Sequence, residues 1–359
     1  MRRTTGALAL AALLALAACS SPSSPGAVDD AATIDPSSST ASSLGRQPVV
    51  VPLARQRIPA QPGYTRDASG TAHVVPATFT TVASFDVPPS PDGADSAYVL
   101  GVRLVVSVPV EQALSVVGWC DVRGAADRRP HAYGYGQVLI SSQNPVPGDT
   151  KQEKASRELY GRALVAVPGD GGHCVVRIGP RTEGTNASML AVTAGKASAV
   201  PLDLITVGEL KERVMVGQTG SPQETVVARS DASGPTTGAF VGHGEVELTA
   251  CYGAGTYGLC RPTTFGASTV WARLVVERLD ASGAVCATTY GTKRWITVTP
   301  YVHHSKLVLA PVKDPGTDTC GDRLRTAIQV RHTSGTAMEI EASGVQGQPL
   351  TLAWLDRGP

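Results

Sequence analysis

The chain of 359 residues carries 31 Lys and Arg against 30 Asp and Glu, which gives a formal net charge of +1. So balanced a chain lacks the excess of Lys and Arg that nucleic-acid binding or a polybasic membrane-surface patch requires, and we expect no nucleic-acid partner. Aromatic residues make up 5% of the chain and leave few large side chains for its core.

The first element is the apolar run ALALAALLALAACSS. Its uncharged segment from Thr4 to Ala18 is shorter than the roughly 20 residues of a bilayer span, and it follows the basic pair Arg2 and Arg3. These features are typical of a signal peptide. Residues 1–18 are therefore predicted to be removed on export, which turns the formal net charge from +1 to −1.

The end of this segment, Leu-Ala-Ala-Cys at residues 16–19, resembles the lipobox of bacterial lipoproteins. In that family the cysteine thiol takes a diacylglyceryl group, a peptidase cuts directly before it, and the new amino terminus can carry a further acyl chain such as palmitate. The resemblance covers residues 1–19 only. It implies that Cys19 is lipidated and anchors the protein on the outer face of the bacterial cell membrane, since two or more acyl chains hold a protein stably.

Residues 20–48 consist mainly of Ser, Pro, Ala and Thr. A segment of this composition cannot bury enough apolar surface to offset its chain entropy, so residues 19–48 are predicted to form a lipidated, disordered tether. Its root-mean-square span is about 30 Å by the flexible-chain relation. We expect the folded part to stand clear of the bilayer.

From Val49 onward, short runs of Val, Ile, Leu and Thr alternate with Gly, Pro, Asp and Ser, which predicts an all-β fold. In AMEIEAS, residues 337–343, apolar positions alternate with Glu339 and Glu341, the period of a half-buried strand. Turn sequences such as LDASG, residues 279–283, separate the strand-like runs.

The best helix candidate is ITVGELKERVM, residues 205–215, because Val207, Leu210 and Val214 recur at helical spacing. A strand from Arg213 to Val216 is the alternative.

The folded region is long for one core, so two β-sandwich-like domains are expected, over residues 49–216 and 239–359. The stretch 217–238, rich in Gly and Ser, is interpreted as their junction. GRALVAVPGDGGHCVV and ARLVVERLDASGAVCAT share a strand, a Gly-rich turn and a cysteine. This similarity indicates either a duplication or a chance resemblance among Val-rich strands.

With Cys19 assigned to lipid, an even number of cysteines remains, which in an exported chain predicts three disulfides. These cysteines are Cys120, Cys174, Cys251, Cys260, Cys286 and Cys320. Pairing within domains joins Cys120 to Cys174. For the other four, a duplication favours 251 with 286 and 260 with 320, whereas proximity favours 251 with 260 and 286 with 320. No Cys-x-x-Cys or Cys-and-His knuckle spacing occurs, so no metal site is assigned.

Few residues suggest chemistry, and without a recognisable catalytic motif or phosphate loop no catalytic or cofactor-binding residue is assigned. GHGEVE places His243 and Glu245 on one face of a strand, which is either half of a site or a polar strand face. In RPHAYGYGQVL, His131, Tyr133 and Tyr135 would line one strand face. Exposed, such rings could stack sugar rings or contact a partner; buried, they would belong to the core.

These observations lead us to expect a lipid-anchored, extracytoplasmic binding or scaffold protein of the cell envelope. Besides the membrane, its expected partner is a cell-wall glycan or an envelope protein. The alternatives are an envelope hydrolase with a non-standard site and a ligand-binding lipoprotein of a transporter. A deep polar cleft with converging His and carboxylates would favour the hydrolase, and a flat aromatic face would favour the binder.

Overall fold

A computed structural model of the chain describes residues 46–62, 64–75, 78–108, 112–122, 132–133, 135–140, 155–182, 188–218, 221, 223–249, 267–298, 304–314, 316, 320–342 and 350–357. Cys19, the predicted signal peptide and residues 19–45 of the predicted tether lie outside these ranges. Within them every regular element is a β-strand, which confirms the predicted all-β fold. No helix that could cross a bilayer occurs in the described ranges.

The N-terminal half is a β-sandwich. Its strands are β1 (Val49–Pro52), β2 (Gln56–Pro62), β3 (Tyr64–Arg66), β4 (Ala72–Val74), β5 (Thr80–Val87), β6 (Ser96–Val108), β7 (Gln112–Val122), β8 (Ala132–Tyr133), β9 (Tyr135–Ile140), β10 (Ala155–Val167), β11 (Gly172–Thr182) and β12 (Ser188–Leu202). One layer has the order β8-β10-β6-β12 and the other β11-β7-β9, with β1 on β12 and β5 on β11. Strand β2 joins the layers, because it pairs antiparallel with β12 and parallel with β11.

The two layers of this half enclose one hydrophobic core. Leu104 of β6 and Ile178 of β11 are both fully buried in it. The layers approach closely at Gly118 of β7, where an added Cβ would lie 2.7 Å from the side chain of Leu100 on β6. The alternating Val and Leu residues of the sequence thus face each other across the sandwich.

The C-terminal half is a second β-sandwich. Its strands are β13 (Leu204–Glu209), β14 (Val214–Val216), β15 (Glu224–Val227), β16 (Phe240–Thr249), β17 (Ser268–Leu279), β18 (Val285–Tyr290), β19 (Arg294–Val298), β20 (His304–Val308), β21 (Val312–Asp314), β22 (Arg323–Gly335), β23 (Met338–Ile340) and β24 (Leu352–Arg357). The β16 sheet has the order β13-β24-β16-β23-β14, with β20 and β21 also paired to β16. The β17 sheet has the order β15-β22-β17-β18, with β19 also paired to β17.

Alternate residues of both sheets form the core of this half. Val246 and Leu248 of β16 and Leu274 and Val276 of β17 are almost fully buried in it. The intervening residues of each strand therefore point away from this core and form the outer faces of the two sheets, where the candidate functional residues lie.

The predicted helix over residues 205–215 is wrong, because this segment forms strands β13 and β14. Ile205 packs into the core between the two sheets, while Val207 packs against a different cluster on the opposite face of β13. The register of β13 with β24 shifts between Leu204 and Thr206, and this irregularity places two residues that are two apart on opposite faces of the strand.

The segment from Leu204 onward belongs to the C-terminal sandwich by strand pairing. Strands β13 and β14 lie in the range 49–216 expected for the first domain, yet they pair with β24 and β23. Strand β15 lies in the expected junction, 217–238, and pairs with β22.

A third hydrophobic cluster joins the two halves. Its members are Ala97, Leu164, Leu202, Leu204, Leu352 and Trp354. Leu352 and Trp354 point to the outer face of the β16 sheet, since their neighbours Ala353 and Leu355 face the C-terminal core. The N-terminal half therefore covers this part of the outer face of the β16 sheet.

Two disulfides lie among the described residues. Cys120 of β7 is bonded to Cys174 of β11, as pairing within domains predicts, and the two residues are cross-strand partners. Cys286 is bonded to Cys320, the pairing favoured by proximity, so the pairing that a duplication would favour is wrong. Cys251 and Cys260 lie outside the described residues.

The similarity between GRALVAVPGDGGHCVV and ARLVVERLDASGAVCAT, which suggested a duplication, does not extend to their strand pairing. Strands β17 and β18 form a hairpin, but β10 pairs with β6 and β8 while β11 pairs with β5 and β7. The two similar segments therefore form different strand arrangements.

The hairpin turn LDASG between β17 and β18 follows the chemistry of its residues. Asp280 Oδ1 accepts hydrogen bonds from the backbone N–H groups of Ser282 and Ala284, at 2.9 and 3.0 Å. Gly283 takes a φ of +84°, a region that glycine enters without steric cost. The turn between β3 and β4 repeats this pattern around Asp67.

Candidate functional site

The tyrosine stretch singled out in the sequence lies on two strands of different layers. Tyr133 of β8 pairs with Leu164 of β10, whereas Tyr135 of β9 pairs with Val117 of β7. His131 and the side chains of both tyrosines lie outside the described residues. A binding face at this stretch therefore stays a prediction.

An exposed aromatic surface lies elsewhere, on the outer face of the β17 sheet. Trp295 of β19 is 60% exposed and Tyr290 of β18 is 53% exposed. The alternation of side chains along each strand places both rings there. In β19, Ile296 and Val298 point toward the core, so Trp295 and Thr297 point outward. We call this surface the aromatic face and define it by Trp271, Arg273, Tyr290, Lys293, Trp295 and Arg331.

Cationic side chains lie over the rings of the aromatic face. The guanidinium carbon of Arg273 is 3.9 Å from the ring centroid of Tyr290 and 5.4 Å from that of Trp271. Lys293 Nζ is 4.4 Å from the centroid of Trp271. These distances lie within the range of attractive cation–π contacts. The cationic side chains also help to cover Trp271, which is only 4% exposed. Arg273 covers one face of the Tyr290 ring, but Tyr290 and Trp295 keep more than half of their surface exposed, and we call these two the open rings.

Strand register aligns these residues into rows across the sheet. Trp271 is the cross-strand partner of both Trp295 and Arg331, and Arg331 is the partner of Glu224. Tyr290 pairs with β17 four residues further along, which offsets the backbone positions of Tyr290 and Trp295 by about 13 Å along the strand. The result is a sheet face with two separated rings and hydrogen-bonding groups between them, which suits an extended ligand.

The predicted pair His243 and Glu245 lies on the outer face of the β16 sheet, which is buried. His243 stacks on Trp354 with ring centroids 5.3 Å apart. Burial, with a smaller effect of Arg162, lowers the pKa of His243 to about 4, so the imidazole is neutral at physiological pH. Glu245 is fully buried, and Lys306 Nζ lies 3.2 Å from its Oε1 as an ion pair without hydrogen-bond alignment.

Further glutamates extend this buried polar face. Glu339 is 4% exposed and lies 3.3 Å from Arg213. Burial raises the pKa of Glu341 to about 7; the Glu339 carboxylate acts in the same direction, and Arg213 opposes it. Strand alternation correctly predicts that Glu339 and Glu341 point away from the core, but that face is covered rather than solvated.

The buried polar face and the aromatic face differ in what they can bind. Glu245 and Lys306 are almost completely withdrawn from solvent, so their charges act on the stability of the folded chain. The described residues contain no group of three or more His, Cys, Asp or Glu arranged to hold a metal ion. Among the described residues, the aromatic face combines open rings with accessible donors, and we take it as the candidate site.

No protein-family model and no curated protein sequence matches the chain. The chain matches a solved structure of a recombinant N-glycanase F (PNGase F) at 8% identity and a TM-score of 0.27, over 86% of this chain and 99% of that chain. It matches a structure of infectious bursal disease virus strain Gx at 10% identity and a TM-score of 0.24, over 88% of this chain and 76% of that chain. A chain of Broad Bean Stain Virus is similar at 10% identity and 0.22 over 89% and 97%. With TM-scores this low, the comparisons assign neither family nor function.

Proposed function

We propose that this chain is a lipid-anchored, extracytoplasmic protein of the bacterial cell envelope that binds an envelope polysaccharide through the aromatic face. The observation that carries the binding role is the pair of open rings, Tyr290 and Trp295, on a solvent-facing sheet. Aromatic rings offer a broad apolar surface for the faces of sugar rings. Gln329 of β22, which accepts a hydrogen bond from Arg273, adds an amide to the same face of the sheet.

The location rests on different observations. The lipobox-like segment ending at Cys19 supports anchoring by lipid on the outer face of the cell membrane. The disulfides Cys120–Cys174 and Cys286–Cys320 support an oxidising, extracytoplasmic compartment. In this proposal the residues after Cys19 act as a tether between the anchor and the sandwiches.

A sedimentation assay with isolated envelope material tests the binding role. Full-length wild-type protein in detergent should co-sediment, and Tyr290→Ala with Trp295→Ala should weaken binding by about 5- to 150-fold, since each stacked ring contributes about 0.5–1.5 kcal/mol. The melting temperature should change little, because both rings are exposed.

Val50→Ala is the matched control, because Val50 is an apolar residue 57% exposed on the N-terminal sandwich. Its binding should equal that of the wild type. Equal binding by the double aromatic variant would contradict the assignment of this face.

One observation favours a second function, an envelope hydrolase. Burial raises the pKa of Glu341 to about 7, with the Glu339 carboxylate acting in the same direction, and a carboxyl group that keeps its proton near neutral pH can act as a general acid. In that case wild-type protein should release soluble fragments from isolated envelope material, and Glu341→Gln should abolish the release. Without fragment release by the wild type, this second function is wrong.

A further inference from the structure

We infer that the polymer bound by the aromatic face is an acidic polysaccharide, whose carboxylates pair with Arg273 and Lys293 while its rings stack on Tyr290 and Trp295. This inference rests on the proposed function and narrows its ligand from polysaccharides in general to those that bear carboxylates.

The charge of the aromatic face differs from that of the whole chain. The chain is almost neutral, with 31 basic and 30 acidic residues. On the outer face of the β17 sheet, basic side chains outnumber acidic ones: Arg229, Arg273, Lys293, Arg325 and Arg331 lie with Glu224 and Glu277. A local excess of positive charge beside open rings is complementary to a negatively charged, ring-bearing ligand.

The two glutamates of this face already have partners. Glu277 lies 2.6 Å from Arg325 and 3.6 Å from Arg229. Glu224 lies 3.7 Å from Arg331 and also accepts a hydrogen bond from Gln329. The positive charges of Arg273 and Lys293 are thus left without a carboxylate among the described residues.

Two contacts orient the guanidinium of Arg273 before any ligand binds. Its guanidinium lies on the Tyr290 ring, and its Nε donates to Gln329 Oε1. A guanidinium fixed in this way loses little conformational entropy on binding a carboxylate, and its remaining N–H groups can form a bidentate pair. Arg331, whose side chain is 53% exposed, lies in the same row as Trp295.

An acidic polysaccharide fits these features better than a nucleic acid. The observed disulfides favour a compartment outside the cytoplasm, where cell-envelope polymers rather than nucleic acids are the abundant polyanions. Strand register offsets the backbone positions of Tyr290 and Trp295 by about 13 Å along β17, which suits a ligand of repeated rings that extends along the face.

Binding of the full-length protein in detergent to polygalacturonate and to fully methyl-esterified polygalacturonate tests the inference, with single-stranded oligothymidylate as a third probe. The ester keeps the sugar backbone and removes the negative charge. We expect polygalacturonate to bind about tenfold more tightly than the ester and its binding to weaken with salt.

Substitutions identify which cationic side chains cause the preference for the acid over the ester. Arg273→Gln and Lys293→Gln should each reduce the preference for the acid over the ester, whereas Lys196→Gln, an exposed lysine on the N-terminal sandwich, should retain it. Melting temperatures check that the variants are folded, and the comparison of acid with ester in the wild type needs no variant.

The outcomes separate the inference from the proposed function. Equal binding of acid and ester, or binding to envelope material without binding to polygalacturonate, would overturn the inference and leave the proposed function standing. Binding to neither polymer nor to envelope material would overturn both. Tighter binding of oligothymidylate than of polygalacturonate would overturn the inference in favour of a nucleic-acid ligand.

Discussion

Glu341→Gln is expected to stabilise the protein above neutral pH and to have a much smaller effect on its stability near pH 5. Burial and the neighbouring Glu339 carboxylate raise the pKa of Glu341 from 4.5 to about 7 against the opposing effect of Arg213. In the unfolded chain the same carboxyl titrates near its ordinary value. Between these two pKa values, the folded state holds a proton that the unfolded state has released.

The magnitude follows from this difference. A pKa of about 7 in place of 4.5 corresponds to about 3 kcal/mol. Because the folded state binds more protons in this interval, the free energy of unfolding falls as pH rises through it and levels off above the folded-state pKa. Glutamine removes the ionisation, so the variant should gain up to about 3 kcal/mol at pH 8, or about 6–12 °C in melting temperature.

Thermal unfolding of the full-length protein at pH 5 and pH 8, followed by circular dichroism, measures this effect. Glu212→Gln is the control, because Glu212 is exposed, and it should change neither melting temperature. Identical melting temperatures of wild type and Glu341→Gln at pH 8 would refute the reasoning. So would a variant that is destabilised equally at both pH values, since that result would mean that Glu341 stabilises the fold in its ionised and its protonated form alike.

The remaining predictions concern the turn, the disulfide and the anchor. Gly283→Ala should destabilise the C-terminal sandwich by about 1–2 kcal/mol, because Gly283 has a φ of +84°, and a chemical denaturation curve should show this loss. Cys286→Ser should cost about 2–4 kcal/mol by the same measurement, and mass spectrometry of unreduced wild type should find Cys286 linked to Cys320. Cys19→Ser should abolish acyl labelling and membrane recovery; equal labelling of both proteins would contradict the lipoprotein assignment.

The strands were predictable where alternation and turn chemistry agree. Met338 and Ile340 enter the core as the period of two predicts, and the LDASG turn joins two strands through Asp280. The helix prediction around Val207 was wrong because three apolar residues match a helical spacing by chance. The pairing of this segment with β24 shows that it is a strand, and pairing with a strand so distant in sequence cannot be recognised from the local sequence.

The functional surfaces were harder to predict. Alternation shows that Glu339 and Glu341 leave one core, but it cannot show that another part of the chain covers the opposite face. Trp295 and Thr297 alternate with Ile296 and Val298, a signal that could have placed the Trp295 ring outside. Its proximity to Trp271 and Arg331 depends on the register of three strands, which the local sequence does not specify.

Hydroxyl-radical footprinting of the full-length protein, with and without isolated envelope material, tests the central claim most directly. The rate of side-chain oxidation reports solvent access at each residue, and Trp295 and Tyr290 are exposed in the free protein. We predict that envelope material protects both rings from oxidation and leaves Val50 on the N-terminal sandwich unprotected. Saturating binding with unchanged oxidation of Trp295 and Tyr290 would contradict the claim that the aromatic face is the binding site.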